Sequence, residues 1–311
     1  MKTYEKIYLF LKEANTYVSG EVLAEKLSLS RTSVWKAIKT LEQQGLLIES
    51  SKQKGYRILS GDLLLPELIS QKLNFPVTLT KKSISTQEDA KQNTNNPSKQ
   101  PHLFLASSQI RAKGRLNRNF YASQTGGIYM SLHLKPNLPY LEMEPYTMIV
   151  ASSIVKAISR LTGIETQIKW VNDIYLENKK IAGILTEAIT SVETGLITDL
   201  IIGVGLNFYI KDFPEELSSK AGSLFKEEPT ISRNQLIEEI WKLFFTIPAK
   251  DHIKVYKEKS LVLNKEVSFW QEDKEYRALA TDITDQGHLI LKLSDGHEKI
   301  LGSGEVSLSS W

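Results

Sequence analysis

Lys169, Asn172, Asp173 and Lys180 interrupt an otherwise apolar stretch that ends at Leu185. Val171, Ile174 and Leu176, then Ile181, Ile184 and Leu185, read as two short strands joined by a turn at Glu177-Asn178. Polar groups inside a buried sheet cost a few kcal/mol each unless something pairs them. In a plainer arrangement the lysines reach out to water and Asn172-Asp173 make a local turn. A second stretch, residues 109–120, sets Arg111, Lys113, Arg115 and Arg118 around Gly114. Such a segment is either a solvated basic loop or a lid whose arginines fork onto phosphate or carboxylate oxygens. Gly203 and Gly205 alternate along a third apolar stretch and would bare one side of a strand to a flat ligand, although close helix packing asks for the same residues. Ser85 or Thr86 can cap a short helix, which places hydroxyls at a helix N-terminus.

The whole chain narrows the chemistry that these residues can do. Zero cysteines exclude disulfides, thiolate metal sites and cysteine nucleophiles, and the five histidines lack ligand spacing, so no dedicated metal cage is expected. No run of eighteen apolar residues is present and the first residues lack the apolar core of a signal peptide, so a cytoplasmic protein without a membrane partner is expected. At 311 residues the chain has room for two or three domains.

The net charge of +3 is unevenly spread. Residues 1–27 balance, whereas residues 28–60 hold six basic side chains (Arg31, Lys36, Lys39, Lys52, Lys54, Arg57) against Glu42 and Glu49. A basic excess confined to one short segment points to a polyanion partner for that segment. Its build agrees with this. Ile7, Tyr8, Phe10 and Leu11 have helical spacing, Ser19-Gly20-Glu21-Val22 opens a second helix, and Ser30 is a good cap for a third. In the third helix Val34, Ile38 and Leu41 face inward, leaving Arg31, Thr32, Ser33, Lys36 and Lys39 outward; a hairpin with basic residues at its tip follows Gly45. This is the pattern of a winged helix-turn-helix, with the residues named above and Lys52 and Lys54 as candidate DNA contacts. Trp35 is expected to pack against the wing.

The remaining spacing predicts an α+β protein. Residues 61–76 read as a partly buried linker between a 1–60 winged helix and a 77–262 domain of mixed strands and helices. Within that domain strands are expected near residues 77–80, 102–107, 166–170, 181–190 and 199–208. A helix is expected over 145–161, and Ser232 with Gln235 forms a capping box before another. Residues 263–311 read as five short strands separated by turns, a small closed or SH3-like barrel.

In this order the Ser30–Ile38 helix, the Lys-Trp-Val-Asn-Asp hairpin running to Lys180-Ile181-Ala182-Gly183-Ile184-Leu185, and the small C-terminal barrel resemble the bifunctional biotin–protein ligases and biotin operon repressors over essentially the whole chain. The resemblance implies that biotin and ATP form biotinyl-5′-AMP, with Mg²⁺, and that biotin then passes to a lysine of a carboxylase biotin carrier domain. It assigns Ser85, Thr86 and Gln87 to the biotin ureido head, Gln109, Lys113, Gly114, Arg115 and Arg118 to the lid, and Lys180 to the bridge between biotin carboxylate and α-phosphate. Asn172 and Asp173 would face nucleotide and Mg²⁺, with Gly183, Gly203, Gly205 and Asn207 lining the cleft. Operator DNA and a homodimer in the adenylate-bound state are the further partners implied. Joining two anions calls for cations and positioning, not a protein nucleophile. Ala112, Lys113 and Asn117 stand where the family lid has Gly, Arg and Gly, and Gln87 stands where Asn is usual, which implies slower activation or faster loss of the adenylate. A lipoate or octanoate ligase, and a biotin-sensing repressor with weak ligase activity, are the alternatives.

Overall fold

The computed structural model describes residues 1–308 except Asp273, Ser303 and Glu305. Three helices, α1 (Thr3–Ala14), α2 (Gly20–Lys26) and α3 (Arg31–Gln43), precede the hairpin β1 (Leu47–Ser51) and β2 (Gly55–Ser60). Ser19 and Ser30 accept from Val22 N and Ser33 N and so satisfy free N–H groups at the starts of α2 and α3. Ile7, Leu11, Leu23, Val34, Ile38 and Leu41 close one small core. Trp35 departs from expectation: it is 54% exposed on the outward side of α3 and is not buried against the wing.

The linker is a docked element with a two-turn helix, α4 (Pro66–Leu73). Its three consecutive leucines are all buried, Leu63 and Leu65 in the winged-helix core and Leu64 in the core of the central domain. Successive side chains of an extended segment point to opposite sides, so one strand of chain serves both. Arg233 and Asn234 hold it there. Arg233 Nε lies 2.5 Å from Asp62 Oδ1, and its Nη2 donates to Asp62 O at 3.0 Å. Asn234 donates to Leu63 O and accepts from Leu65 N, at 2.8 and 3.0 Å. A cavity of about 1250 Å³ remains between the two units, lined by Lys12, Gln44, Ser60, Lys81 and Tyr209 among others.

The central sheet is built from β3 (Val77–Ser83), β4 (His102–Gln109), β5 (Gly127–Leu134), β6 (Gln167–Lys169), β7 (Asp173–Leu176), β8 (Lys179–Thr190) and β9 (Ile197–Asn207). Its order is β3-β4-β5-β9-β8-β7-β6, with only β3–β4 parallel. Three helices, α6 (Tyr146–Thr162), α8 (Arg233–Thr246) and α9 (Ala249–Glu258), share the large core with one face, through residues such as Met130, Leu132, Ile202 and Val204. The short α7 (Glu215–Ser218) lies between β9 and α8 in the chain. The other face carries α5 (Thr86–Gln92), whose Ala90 meets Phe104 and Ile201 in a separate small cluster. Residues 170–172 form the turn between β6 and β7, nearer to the local turn of the plainer sequence reading than to a continuous strand, and Asp173 opens β7.

The C-terminal strands β10 (Glu266–Gln271), β11 (Lys274–Ile283), β12 (Leu289–Leu293), β13 (Glu298–Leu301) and β14 (Ser307–Leu308) form one antiparallel sheet in the order β13-β12-β11-β10-β14. Among the described residues β13 and β14 remain edges, so the sheet does not close, an arrangement compatible with an SH3-like unit. Trp170 Nε1 donates to Gly287 O at 2.9 Å and ties this sheet to the polar hairpin.

Candidate active site

The α5-bearing face of the sheet has a floor of glycine. Gly183 of β8 pairs with Gly205 of β9, and Gly203 pairs with Ser131 of β5. A Cβ on Gly203 would stand 2.5 Å from Gln87 Oε1, and one on Gly205 would stand 2.4 Å from the Phe120 ring. The alternating glycines therefore admit side chains that lie over the strands; at Gly203 that side chain is Gln87 of helix α5, the close helix packing that the sequence reading left open beside a flat ligand.

At one end of this floor a polar cluster gathers around the start of α5. Ser85 caps the helix by accepting from Glu88 N at 3.1 Å. Thr86 N donates to Gln109 Oε1 at 2.7 Å. Gln87 Nε2 donates to Leu185 O and Ile201 O at 3.2 and 3.3 Å. Ser131 Oγ lies 2.8 Å from Gln87 Oε1 and 2.9 Å from Thr86 Oγ1. Ser131 escaped the sequence reading, although a serine in the middle of an apolar strand was a visible signal.

Two residues along, charges converge. Lys180 Nζ lies 2.7 Å from Asp173 Oδ1. The contact is off-line for a hydrogen bond, so that oxygen retains accepting capacity. Asn172 Nδ2 donates to Ile184 O at 2.8 Å, which aims Oδ1 at Arg115 Nη1, 3.3 Å away. Arg115 also donates to Gly304 O at 3.3 Å, so the C-terminal sheet helps to hold the lid. Tyr256 hydroxyl donates to Val171 O; burial, then the Asp173 charge, pushes its pKa upward against the pull of Arg115. The Lys-Trp-Val-Asn-Asp turn is thus fixed from α9.

The rest of the lid stays outside this cluster. Lys113 donates to Asn119 Oδ1 at 2.8 Å and is exposed, as is Arg118. Gly114 has room for a Cβ, with the nearest atom 3.8 Å away. Asn117 adopts φ +58°, the conformation asparagine tolerates, and Leu116 joins it at +54°. Asn207 donates to Gly222 O at 2.9 Å while its Oδ1 is buried without a partner among the described residues. Phe120, packed over Gly205 and edge-on to Tyr129, is a further cleft residue that charge-based reading passed over.

On the winged helix, Arg31, Thr32, Lys36, Lys39, Lys52 and Lys54 are exposed and Ser33 is partly so. Arg31 pairs with Glu21 at 2.6 Å and Lys39 with Glu42 at 2.7 Å, surface pairs that solvent screens and a stronger polyanion can displace. Lys54 and Arg57 lie against the Tyr17 ring, which orders the wing's cations.

Comparison with known proteins matches these units separately. The HTH domain family matches residues 4–57, the biotin/lipoate A/B protein ligase family residues 80–207, and the biotin protein ligase C terminal domain residues 262–309. The bifunctional ligase/repressor BirA of Bacillus subtilis (strain 168) is 31% identical over 97% of this chain and 97% of its own. The chain belongs to the BirA family of bifunctional ligase/repressors. The Escherichia coli (strain K12) BirA is 26% identical over 94% of this chain and 93% of its own. A biotin protein ligase from Aquifex aeolicus, solved in complex with biotin and ATP, superposes with a TM-score of 0.62 at 25% identity, covering 76% of this chain and 99% of that one. Among the described residues no helix of this BirA family member is long and apolar enough to cross a membrane.

Proposed function

We propose that this chain condenses biotin with ATP to biotinyl-5′-AMP, transfers biotin to a carrier-domain lysine, and represses transcription when adenylate-bound. The observation that carries this is the glycine floor with neutral hydrogen-bonding groups at one end and Lys180, Asp173, Asn172 and Arg115 at the other. Thr86, Gln87 and Gln109 suit a neutral cyclic head, with Ser131 added to the set. Lys180 and Arg115 suit the carboxylate and α-phosphate. The carboxylate oxygen attacks the α-phosphorus and pyrophosphate leaves; the Lys180 ammonium reduces repulsion between the two anions. In the second step the carrier amine attacks the acyl carbon, the bond to AMP oxygen breaks, and a closed lid excludes water. Mg²⁺ travels mainly on nucleotide phosphates and water with one or two carboxylates, and Asp173 fits the latter part. Asn207 Oδ1 is an acceptor suited to the exocyclic amine of adenine. Arg118 belongs to the phosphates when the lid closes.

Biotin-dependent pyrophosphate release, followed by labelling of a carrier domain with biotin or lipoate, tests the ligase reading. Lipoate transfer alone would replace it with the lipoyl alternative, and operator binding without pyrophosphate release would leave a sensor.

The winged helix is assigned to operator DNA through α3 and the wing. Removing residues 1–60 should abolish operator binding and leave biotin transfer, since the adenylation residues all follow Ser83. Lys36→Ala should weaken binding to all DNA sequences and lower the salt slope by about one unit if Lys36 meets a phosphate. A truncated protein that still shifts operator DNA, or an unchanged K36A slope, counts against these assignments.

Dimerisation is assigned to the free edge of β8. β7 pairs with β8 only as far as Gly183, so residues 185–190, paired with β9 on one side, have no strand partner on the β7 side among the described residues. Such an edge can pair across a two-fold axis and so present two winged helices to a palindromic site. The adenylate should tighten the dimer by the same factor that dimerisation tightens adenylate binding, about 5–150-fold in typical linked systems. Sedimentation with and without biotinyl-5′-AMP measures this; a dimer of unchanged strength removes the regulatory assignment and leaves the ligase one.

A further inference from the structure

A trio of half-buried Asn93 with buried His133 and Asp199 takes no part in the chemistry above yet lies on the same face of the sheet. Tyr129, Ser131 and His133 alternate along β5 and point to one side. His133 is 2% exposed and Asp199 6%. His133 Nε2 lies 2.8 Å from Asp199 Oδ1, and Asn93 Nδ2 lies 3.1 Å from His133 Nδ1. An amide nitrogen can only donate, so Nδ1 accepts and Nε2 carries the proton given to Asp199. Lys135 Nζ stands 3.9 Å from Asp199 and donates to Thr94 O at 2.8 Å and to Asn96 O, so it offsets the carboxylate and holds the chain leaving the helix.

The trio closes on the C-cap of α5, because Asn93 is that residue. A seven-residue helix does not hold itself together in water. Its apolar anchorage is slight: Ala90, with Phe104 and Ile201, makes the whole of the small cluster beneath it. The Lys91–Glu187 pair is 36% exposed on each side and, screened by solvent, adds little. Polar contacts therefore set where α5 lies, with Ser131 and Gln109 at the N-terminal end and the His133 trio at the other. We propose that Asn93, His133 and Asp199 form a latch that positions α5, and through it Thr86 and Gln87, for recognition of the substrate's head group. His133 and Asp199 are positioning residues and do not touch the ligand. The proposal rests on the assignment of the biotin head to Thr86 and Gln87.

The latch acts on one substrate only, which separates it from a general structural role. Lys180, Asn172 and Arg115 sit on other elements, so ATP handling does not pass through α5. His133→Phe keeps a ring of similar size and removes both hydrogen bonds. It should raise the KM for biotin about tenfold or more, the scale set by an unsatisfied buried partner. The KM for ATP and kcat should stay within roughly twofold of the parent, as expected when one substrate's binding alone is touched. His133→Gln offers one N–H donor and one oxygen acceptor and should restore the biotin KM. Asn93→Ala, at a half-buried cap, opens the latch from the helix side without emptying the core and should reproduce the effect. Pyrophosphate release at varied biotin and varied ATP reads all of these. The proposal is overturned if both KM values rise together in step with lost stability, if H133F and N93A leave biotin KM unchanged, or if His133→Gln fails to rescue. Wild-type protein without biotin-dependent pyrophosphate release would instead overturn the biotin assignment, and the latch's ligand with it.

Discussion

Lys180→Ala is expected to cut adenylate formation by roughly 10²-fold or more, the loss seen when one donor to developing charge is removed. The fold should survive, because the backbone of Lys180 is fixed independently of its ammonium: its N–H donates to Lys220 O and its carbonyl accepts from Gly222 N. Two effects add. The incoming carboxylate and α-phosphate lose a cation between them, and Asp173, now without its partner 2.7 Å away, faces them as a third negative charge. Comparing Lys180→Ala, Asp173→Asn and the double variant separates the two. The single Asp173→Asn reads the cost of losing the carboxylate offered to Mg²⁺. Beyond that cost, the double variant should recover part of the Lys180→Ala loss, because the unpaired charge is gone. The readout is pyrophosphate release at saturating biotin and ATP, with far-UV circular dichroism to check the fold. Near-normal release from the single variant would take Lys180 out of the mechanism.

That Lys180 would find a partner, a ligand or water could be read from the sequence, because a polar side chain interrupts an apolar alternation there, and the partner found is Asp173. The same logic found Asn172, Asp173 and the glycine pair, whose reason is now physical: Gln87 and Phe120 lie where Cβ atoms would be. The helix caps at Ser30, Ser85 and Ser232 were equally plain, since each is satisfied within three residues. What local pattern does not carry is the distant partner. Ser131 and His133 were passed over because their roles depend on α5, forty or more residues earlier. The run Leu63-Leu64-Leu65 looked like a linker, and nothing nearby in sequence shows that it divides between two cores. Trp35 was assigned to packing on composition alone, and its exposure follows from an inward face already filled by Val34, Ala37, Ile38 and Leu41.

Arg233→Ala should destabilise the attachment of the winged helix by about 3 kcal/mol, the lower end of what breaking a buried ion pair costs. The pair with Asp62 is nearly closed off from water, at 12% and 14% side-chain exposure. The lower end applies because Asp62 keeps one partner: its Oδ2 accepts from Arg233 N at 2.6 Å, at the positive end of α8. Arg233 also donates to Gly127 O at 3.2 Å, and Gly127 opens the strand that carries Tyr129 and Ser131. One guanidinium therefore touches the linker, the start of α8 and the central sheet, although Asp62 is 171 residues away in sequence. Because the winged helix and the ligase domain have separate cores, the loss should appear as an early unfolding step of the first, with the second still folded. Protease cleavage between residues 60 and 66 should become fast in the variant, and operator affinity should fall while biotin-dependent pyrophosphate release is retained. A single cooperative transition at the parent's midpoint, with the linker still protected, would show that the leucines alone hold the two units together.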